Sequence, residues 1–157
     1  MIKLFAMDVD GTLTDGGVFV GADGNEYKRF NIQDGMGIAM FRRSGGKVAV
    51  ISGRYSGATE RRAKELKFDI IENGVGEKLP VLQKMAEELG LSPDEVAYAG
   101  DDVNDIACAK WAGFGVAVAN ALPELKEAAD YTTSHCGGDG AIREITDILI
   151  KMNAKEK

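Results

Sequence analysis

The sequence predicts a Rossmann-like, doubly wound parallel α/β sheet, formed as one domain by the 157 residues. Two observations carry that reading. Short apolar runs alternate with segments of helical periodicity, the pattern of βαβ units whose strands are covered on both faces. Carboxylates and a hydroxyl recur just after the apolar runs, where open parallel sheets place their ligands.

In chain order, Ile2 to Met7 reads as a first buried strand. Val18 to Val20, then Ala22-Asp23-Gly24-Asn25, then Glu26 to Phe30 read as a β-hairpin, because Asp-Gly readily adopts the positive φ of such turns. This hairpin, about residues 17–30, is an insertion before a helix that begins near Asp34. Val48 to Ile51 and the short Ile70-Ile71 follow as strands, with a helix over Ser56 to Leu66 between them. Lys78 to Leu89 carries Leu82, Met85, Ala86 and Leu89 on one helical face, and Gly90 ends it. Val96 to Ala99 and Phe114 to Val118 are strands separated by a helix over Val103 to Ala112. Ala141 to Met152 forms a last helix with Ile142, Ile145, Ile148 and Leu149 apolar, and Asn153 to Lys157 is expected to fray. No repeat or linker interrupts the series.

The composition is that of a globular protein, with 45% hydrophobic and 28% charged residues. A net charge of -6 argues against a nucleic-acid partner. No apolar run is long enough to cross a bilayer, and the apolar stretch before Asp8 is too short for a signal peptide. Cys108 and Cys136 form no CxxC pair and read as free thiols of a reducing, cytoplasmic compartment. His135 is the single histidine, so a Ser/His/Asp mechanism would rest on that loop residue alone.

The chemistry sits at the strand ends. The first strand runs into Asp8-Val9-Asp10-Gly11-Thr12, the second into Ser52-Gly53-Arg54, and the fourth into Gly100-Asp101-Asp102-Val103-Asn104-Asp105. Lys78 opens a helix. Each piece alone is ordinary loop chemistry; together they suit phosphoryl transfer. A carboxylate that attacks a phosphate meets a repulsion of about 4 kcal/mol at about 4 Å with an effective dielectric of about 20. A magnesium ion on Asp8 and Asp101 would relieve it. Ser52 and Lys78 can hold phosphoryl oxygens, where charge spreads in the transition state. Asp10 can protonate the departing alcohol and then activate water.

In order and context these four pieces resemble the motifs of the haloacid dehalogenase superfamily of phosphatases. The resemblance implies Asp8 as nucleophile and Asp10 as general acid/base. It also implies Mg2+ on Asp8, the Asp10 backbone carbonyl and Asp101. Asp102 and Asp105 would be supporting acids, and Asn104 would orient the phosphoryl group or Lys78. Most members carry a cap domain between these motifs, and neither gap here is long enough for one.

The hairpin, Asn31-Ile32-Gln33-Asp34-Gly35, Ser52-Gly53-Arg54, Arg62 and the segment Cys136 to Glu144 are similar to the 3-deoxy-D-manno-octulosonate 8-phosphate phosphatases. That likeness implies a role in lipopolysaccharide precursor synthesis. It further implies a homotetramer built around the hairpins, with the C-terminal segment of about 137–157 completing a neighbouring site. Asn31 to Gly35, Gly53, Arg54, Arg62, Lys78 and Asn104 would line the substrate pocket, and Arg54 and Arg62 would meet the substrate carboxylate. Arg61-Arg62 with Lys64 also fits a solvated helix face. Three alternatives stand beside this reading: a phosphatase for nine-carbon ulosonate 9-phosphates, a receiver-like phosphoacceptor, and a non-catalytic oligomerisation module. The retained Arg54 favours the eight-carbon sugar, and Asp10 favours a hydrolase.

Overall fold

The computed structural model describes all residues from Met1 to Lys157. In chain order it contains β1 (Leu4–Met7), β2 (Phe19–Val20), β3 (Glu26–Tyr27), α1 (Ile32–Arg43), β4 (Lys47–Ser52), α2 (Gly57–Glu65), β5 (Ile70–Asn73), α3 (Lys78–Glu88), β6 (Val96–Gly100), α4 (Ile106–Trp111), β7 (Phe114–Ala117), α5 (Pro123–Ala128), β8 (Tyr131–Thr132) and α6 (Ala141–Lys155). Six strands form one sheet in the order β5-β4-β1-β6-β7-β8, and every pairing in it is parallel.

Side-chain alternation along the strands divides the core into two layers. Phe5 and Met7 of β1 and Val48 and Val50 of β4 face Ile38 and Phe41 of α1 and Ile142, Ile145 and Leu149 of α6. Leu4, Ala6, Ala49 and Ile51 face the other way, onto Leu82, Met85 and Ala86 of α3 and Leu125 of α5. Strand order reverses between β1 and β6, so the connections leave their carboxyl ends in opposite directions and open a crevice there. Only the hairpin and α1 lie between β1 and β4, and only α2 and β5 between β4 and α3. The fold is doubly wound and has no cap domain.

Several boundaries differ from the sequence reading, each for a local reason. The first helix begins at Ile32 rather than near Asp34, because the Asn31 side chain caps it by accepting from Gln33 N at 2.8 Å. The helix expected over Val103 to Ala112 is split into a 3-10 turn at Val103–Asp105 and α4. There the Asp105 carboxylate takes the backbone N–H groups of Asp101 and Asp102, which winds the turn tightly. The expected tail is helical to Lys155, because Asn153 clamps the chain start: its Oδ1 accepts from Ile2 N at 2.7 Å and its Nδ2 donates to Ile2 O at 2.8 Å. Helix α5 was not anticipated, although Pro123 stands in its first turn, a common start signal. Strand β8 is only two residues long and shows no periodicity.

Candidate active site

The residues after β1 and β6 meet at the strand reversal. An open cleft of about 360 Å³ is lined there by Asp8, Asp10, Gly53, Arg54, Val75, Gly76, Asp101, Asp102 and Asn104. Six of these nine were anticipated from the sequence as site residues; Asp102 was anticipated as a supporting acid, and Val75 and Gly76 were not.

Asp8 sits at the floor of the cleft, 6% exposed. Lys78, at the first position of α3 and equally buried, places Nζ 2.7 Å from Asp8 Oδ1 and 2.9 Å from Asp105 Oδ1. Two carboxylates share this one ammonium. Burial alone would lower the lysine pKa, but Asp8 and Asp105 together raise it, so Lys78 stays charged. The Asp8 pKa is raised, first by burial and next by the Asp105 charge, against the opposing pull of Lys78.

Asp105 is the support of the site. It has no solvent exposure and accepts from Lys78 Nζ, from Tyr98 Oη at 2.6 Å and from the Asp101 and Asp102 backbone N–H groups at 3.0 and 3.2 Å. Asp8, Asp101 and Asp105 could together offer metal ligands, with carboxylate oxygens within 4.8 Å of one another. Asp105 has spent its oxygens on those four donors, which leaves Asp8 and Asp101 to face the cleft. The Asp101 carboxyl is pushed up to about 8, first by burial and then by its hydrogen bond to and charge repulsion from Asp8. Such crowding is what a divalent cation relieves, and an all-oxygen, hard donor set suits magnesium. Thr12, to which no role was given beforehand, bridges the two acids at 3.3 Å from Asp8 Oδ2 and 3.5 Å from Asp101 Oδ1.

Gly11 lets the first loop pass. Its φ is +84°, and a Cβ there would lie 2.0 Å from Asp101 Oδ2. On the opposite wall, Gly53 lies near Asn104 Nδ2 and the Lys78 side chain. Ser52 is 1% exposed, and its hydroxyl donates to the Arg54 carbonyl at 2.8 Å. To meet a phosphoryl oxygen it must turn from that acceptor. Arg54 is half exposed and holds both carboxylate oxygens of Glu26 from the hairpin. Asp10 is paired with a hairpin residue that sequence reasoning missed, Lys28, whose Nζ lies 2.7 Å from Asp10 Oδ1.

The remaining expected pocket residues do not line this cleft within one chain. Asn31 serves as the α1 cap, Ile32 points to solvent at 84% exposure, and Gln33 lies toward α6. Asp34 is fully buried, and its Oδ1 accepts from Arg143 N at 2.9 Å, so it latches α1 to α6. Gly35 packs against Leu66 and the Arg62 guanidinium. Arg62 pairs with Glu65 at 2.7 Å and lies 5.7 Å from the Phe30 ring centroid. Its side chain is only 18% exposed, so within the single chain Arg62 is a packing residue between α1 and the hairpin rather than part of a solvated helix face. The Gly137 to Gly140 turn is seated on its own chain's first loop: Asn120 donates to Gly11 O at 2.9 Å and accepts from Gly137 N at 2.7 Å.

The chain is similar to known proteins in sequence and in fold. A family described as haloacid dehalogenase-like hydrolase matches residues 67–145. The 3-deoxy-D-manno-octulosonate 8-phosphate phosphatase of Escherichia coli K12 is 40% identical over 154 residues, which cover 98% of this chain and 82% of that protein. A crystal structure of the corresponding phosphatase from Moraxella catarrhalis, in complex with a magnesium ion, a phosphate ion and a KDO molecule, is similar with a TM-score of 0.93 and 42% identity, covering 96% of this chain and 86% of that one. The cobalt-bound phosphatase from Haemophilus influenzae is similar with a TM-score of 0.93 and 36% identity, covering 98% and 90% of the two chains.

Proposed function

The chain belongs to the haloacid dehalogenase-like hydrolase family, and from that premise we propose that it is a magnesium-dependent phosphatase that hydrolyses 3-deoxy-D-manno-octulosonate 8-phosphate to the free sugar acid and phosphate. The reaction belongs to lipopolysaccharide precursor synthesis. The observation that carries the chemistry is the Asp8 carboxylate at the strand reversal, with the Lys78 ammonium at 2.7 Å and Asp101 beside it.

Asp8 attacks phosphorus, and the bond from phosphorus to the sugar oxygen breaks. Asp10 gives its proton to that departing oxygen. The same carboxylate then takes a proton from water as the water attacks the aspartyl phosphate, which frees phosphate and restores Asp8. Lys78 steadies the charge on the phosphoryl oxygens, and the Ser52 hydroxyl, once turned from Arg54 O, donates to another. Asp8, Asp101 and the Asp10 carbonyl would hold magnesium, which would supply positive charge against the repulsion between carboxylate and phosphate. Arg54 offers its guanidinium to the substrate carboxylate in exchange for Glu26.

The hairpin supports assembly. Phe19, Val20 and Tyr27 are 72%, 67% and 63% exposed, and Ile32 beside them is 84% exposed. A two-stranded hairpin is marginal unless packed against something, and a closed ring of copies would cover this surface. Our reading is a cytoplasmic homotetramer in which the exposed Ile32 and Gln33 and the segment 137–157 serve a neighbour's pocket, while the buried Asp34 and Gly35 shape the helix that presents them. Because its glycine turn is already seated on its own loop, that segment would do so through its outward side.

The test is a panel of phosphate esters assayed for phosphate release. kcat/KM for the eight-carbon ulosonate 8-phosphate should exceed that for hexose phosphates by well over tenfold, on the principle that remote contacts add to transition-state binding. Chelation should abolish turnover and magnesium restore it, with calcium a poor substitute because its looser coordination misplaces the attack. A nine-carbon ulosonate 9-phosphate preferred over the eight-carbon ester would reassign the substrate, and full activity in chelator would remove the metal.

A further inference from the structure

Side chains alternate along β3, and the hairpin uses that alternation. Tyr27 points outward, whereas Glu26 and Lys28 turn toward the cleft and meet one cleft residue each. Glu26 holds Arg54. Lys28 is more unusual, because its side chain has no solvent exposure at all. A buried ammonium is costly unless it is paired and hydrogen-bonded. Lys28 Nζ has two partners, Asp10 Oδ1 at 2.7 Å and Thr59 Oγ1 of α2 at 3.3 Å. Thr59 is itself 2% exposed, so the lysine is fixed between the first loop and a packed helix.

We propose that Lys28 is a positioning residue for the acid–base step, holding the Asp10 carboxyl by one oxygen so that the other faces the reacting centre. The inference rests on the reading of Asp10 as general acid/base. Asp10 Oδ1 is buried and meets Lys28 as an ion pair, with no aligned hydrogen bond to it, while the side chain as a whole is 29% exposed, so Oδ2 is the oxygen presented to the cleft. Lys78 cannot take the place of Lys28, since it is already shared by Asp8 and Asp105. The hairpin therefore carries an assembly surface on one face and an orienting contact for the proton donor on the other.

A general acid matters most when the leaving group is poor. The experiment measures kcat/KM for phosphate esters that lack a carboxylate, from p-nitrophenyl phosphate through phenyl phosphate to a simple alkyl phosphate. It compares the wild-type protein with Lys28→Met and Asp10→Asn. Lys28→Met should stay within threefold of wild type on p-nitrophenyl phosphate and lose at least tenfold on the alkyl ester, giving a steeper dependence on leaving-group pKa. A merely structural role would lower all esters alike, and a wild-type slope or a uniform loss would overturn the proposal. If Asp10→Asn itself keeps the wild-type slope, the acid–base reading falls and this inference with it. A steep Asp10→Asn beside a wild-type slope in Lys28→Met overturns the Lys28 role alone. Should Lys28→Met not fold, Lys28→Gln and Thr59→Val are read on the same slope, with steepening expected and an unchanged slope contradicting.

Discussion

Gly11 and Asp101, from loops that follow different strands, are so close that a methyl group on Gly11 would overlap the Asp101 carboxylate, 2.0 Å from Oδ2. The contact fixes the distance between the two acidic loops. Gly11→Ala would have to displace Asp101 and also hold alanine at a φ of +84°, a backbone strain of about 1–3 kcal/mol. Magnesium affinity, read by calorimetric titration, should fall at least tenfold, and activity at saturating magnesium should fall with it. Wild-type affinity would mean that Asp101 is not held by this contact.

Asp105 supports Lys78 and the loop beyond β6 at once. Asp105→Ala leaves Lys78, Tyr98 Oη and two backbone N–H groups without their acceptor. Removing one member of a buried ion pair costs about 3–5 kcal/mol, a loss that denaturant unfolding should detect. Asp105→Asn keeps the shape and should fold, yet lose at least tenfold in kcat because Lys78 is less well held. An Asp105→Asn enzyme with native kcat would show that the support is dispensable.

Glu144, in α6, holds β8 and the residues that follow it. It accepts from the backbone N–H groups of Ser134 and His135, from the His135 ring and from Tyr131 Oη. Burial alone would raise its pKa, but these donors outweigh burial and lower it from the ordinary 4.5. A depressed carboxylate contributes stability fully above its unfolded value and loses it as pH falls through the folded value. Glu144→Gln should therefore cost about 1–2 kcal/mol near neutral pH, and the gap from wild type should close as pH falls below about 4.5. Thermal melts across pH read it directly. A gap independent of pH would assign the loss to packing.

The sequence disclosed the frame of the site because its parts are local. Asp8 and Asp10 are two apart in one loop, Asp101 follows an apolar strand, and Lys78 opens a periodic helix, so strand ends and spacing were enough to group them. What escaped is what tertiary structure joins. Tyr98 read simply as a strand residue, yet its hydroxyl holds Asp105. Lys28 and Glu26 lay in an exposed-looking hairpin, and only the way that hairpin folds back turns them into the cleft. Period-two alternation around Tyr27 was the signal that could have found them. The placement of Asp34 went the other way: the family likeness implied a pocket residue, whereas helix packing buries it against Arg143 N.

Arg54 is exposed and paired with a carboxylate of the same chain, so its charge is free to exchange. Arg54→Ala should lower kcat/KM for the ulosonate phosphate at least tenfold, mainly through KM, and spare p-nitrophenyl phosphate, which has no carboxylate to bind. Steady-state kinetics on the two esters decide it. Equal losses on both would give Arg54 a part in the chemistry or the fold.

The central claim is that the Asp8 carboxylate attacks phosphorus. Acid quenching during turnover of 3-deoxy-D-manno-octulosonate 8-phosphate, followed by borohydride reduction, converts an acyl phosphate to an alcohol, which peptide mass spectrometry can locate. The account predicts homoserine at position 8 in the wild-type enzyme, and neither homoserine nor turnover in Asp8→Asn. Steady turnover with no reduced residue at position 8, or with the label on another carboxylate, would contradict it.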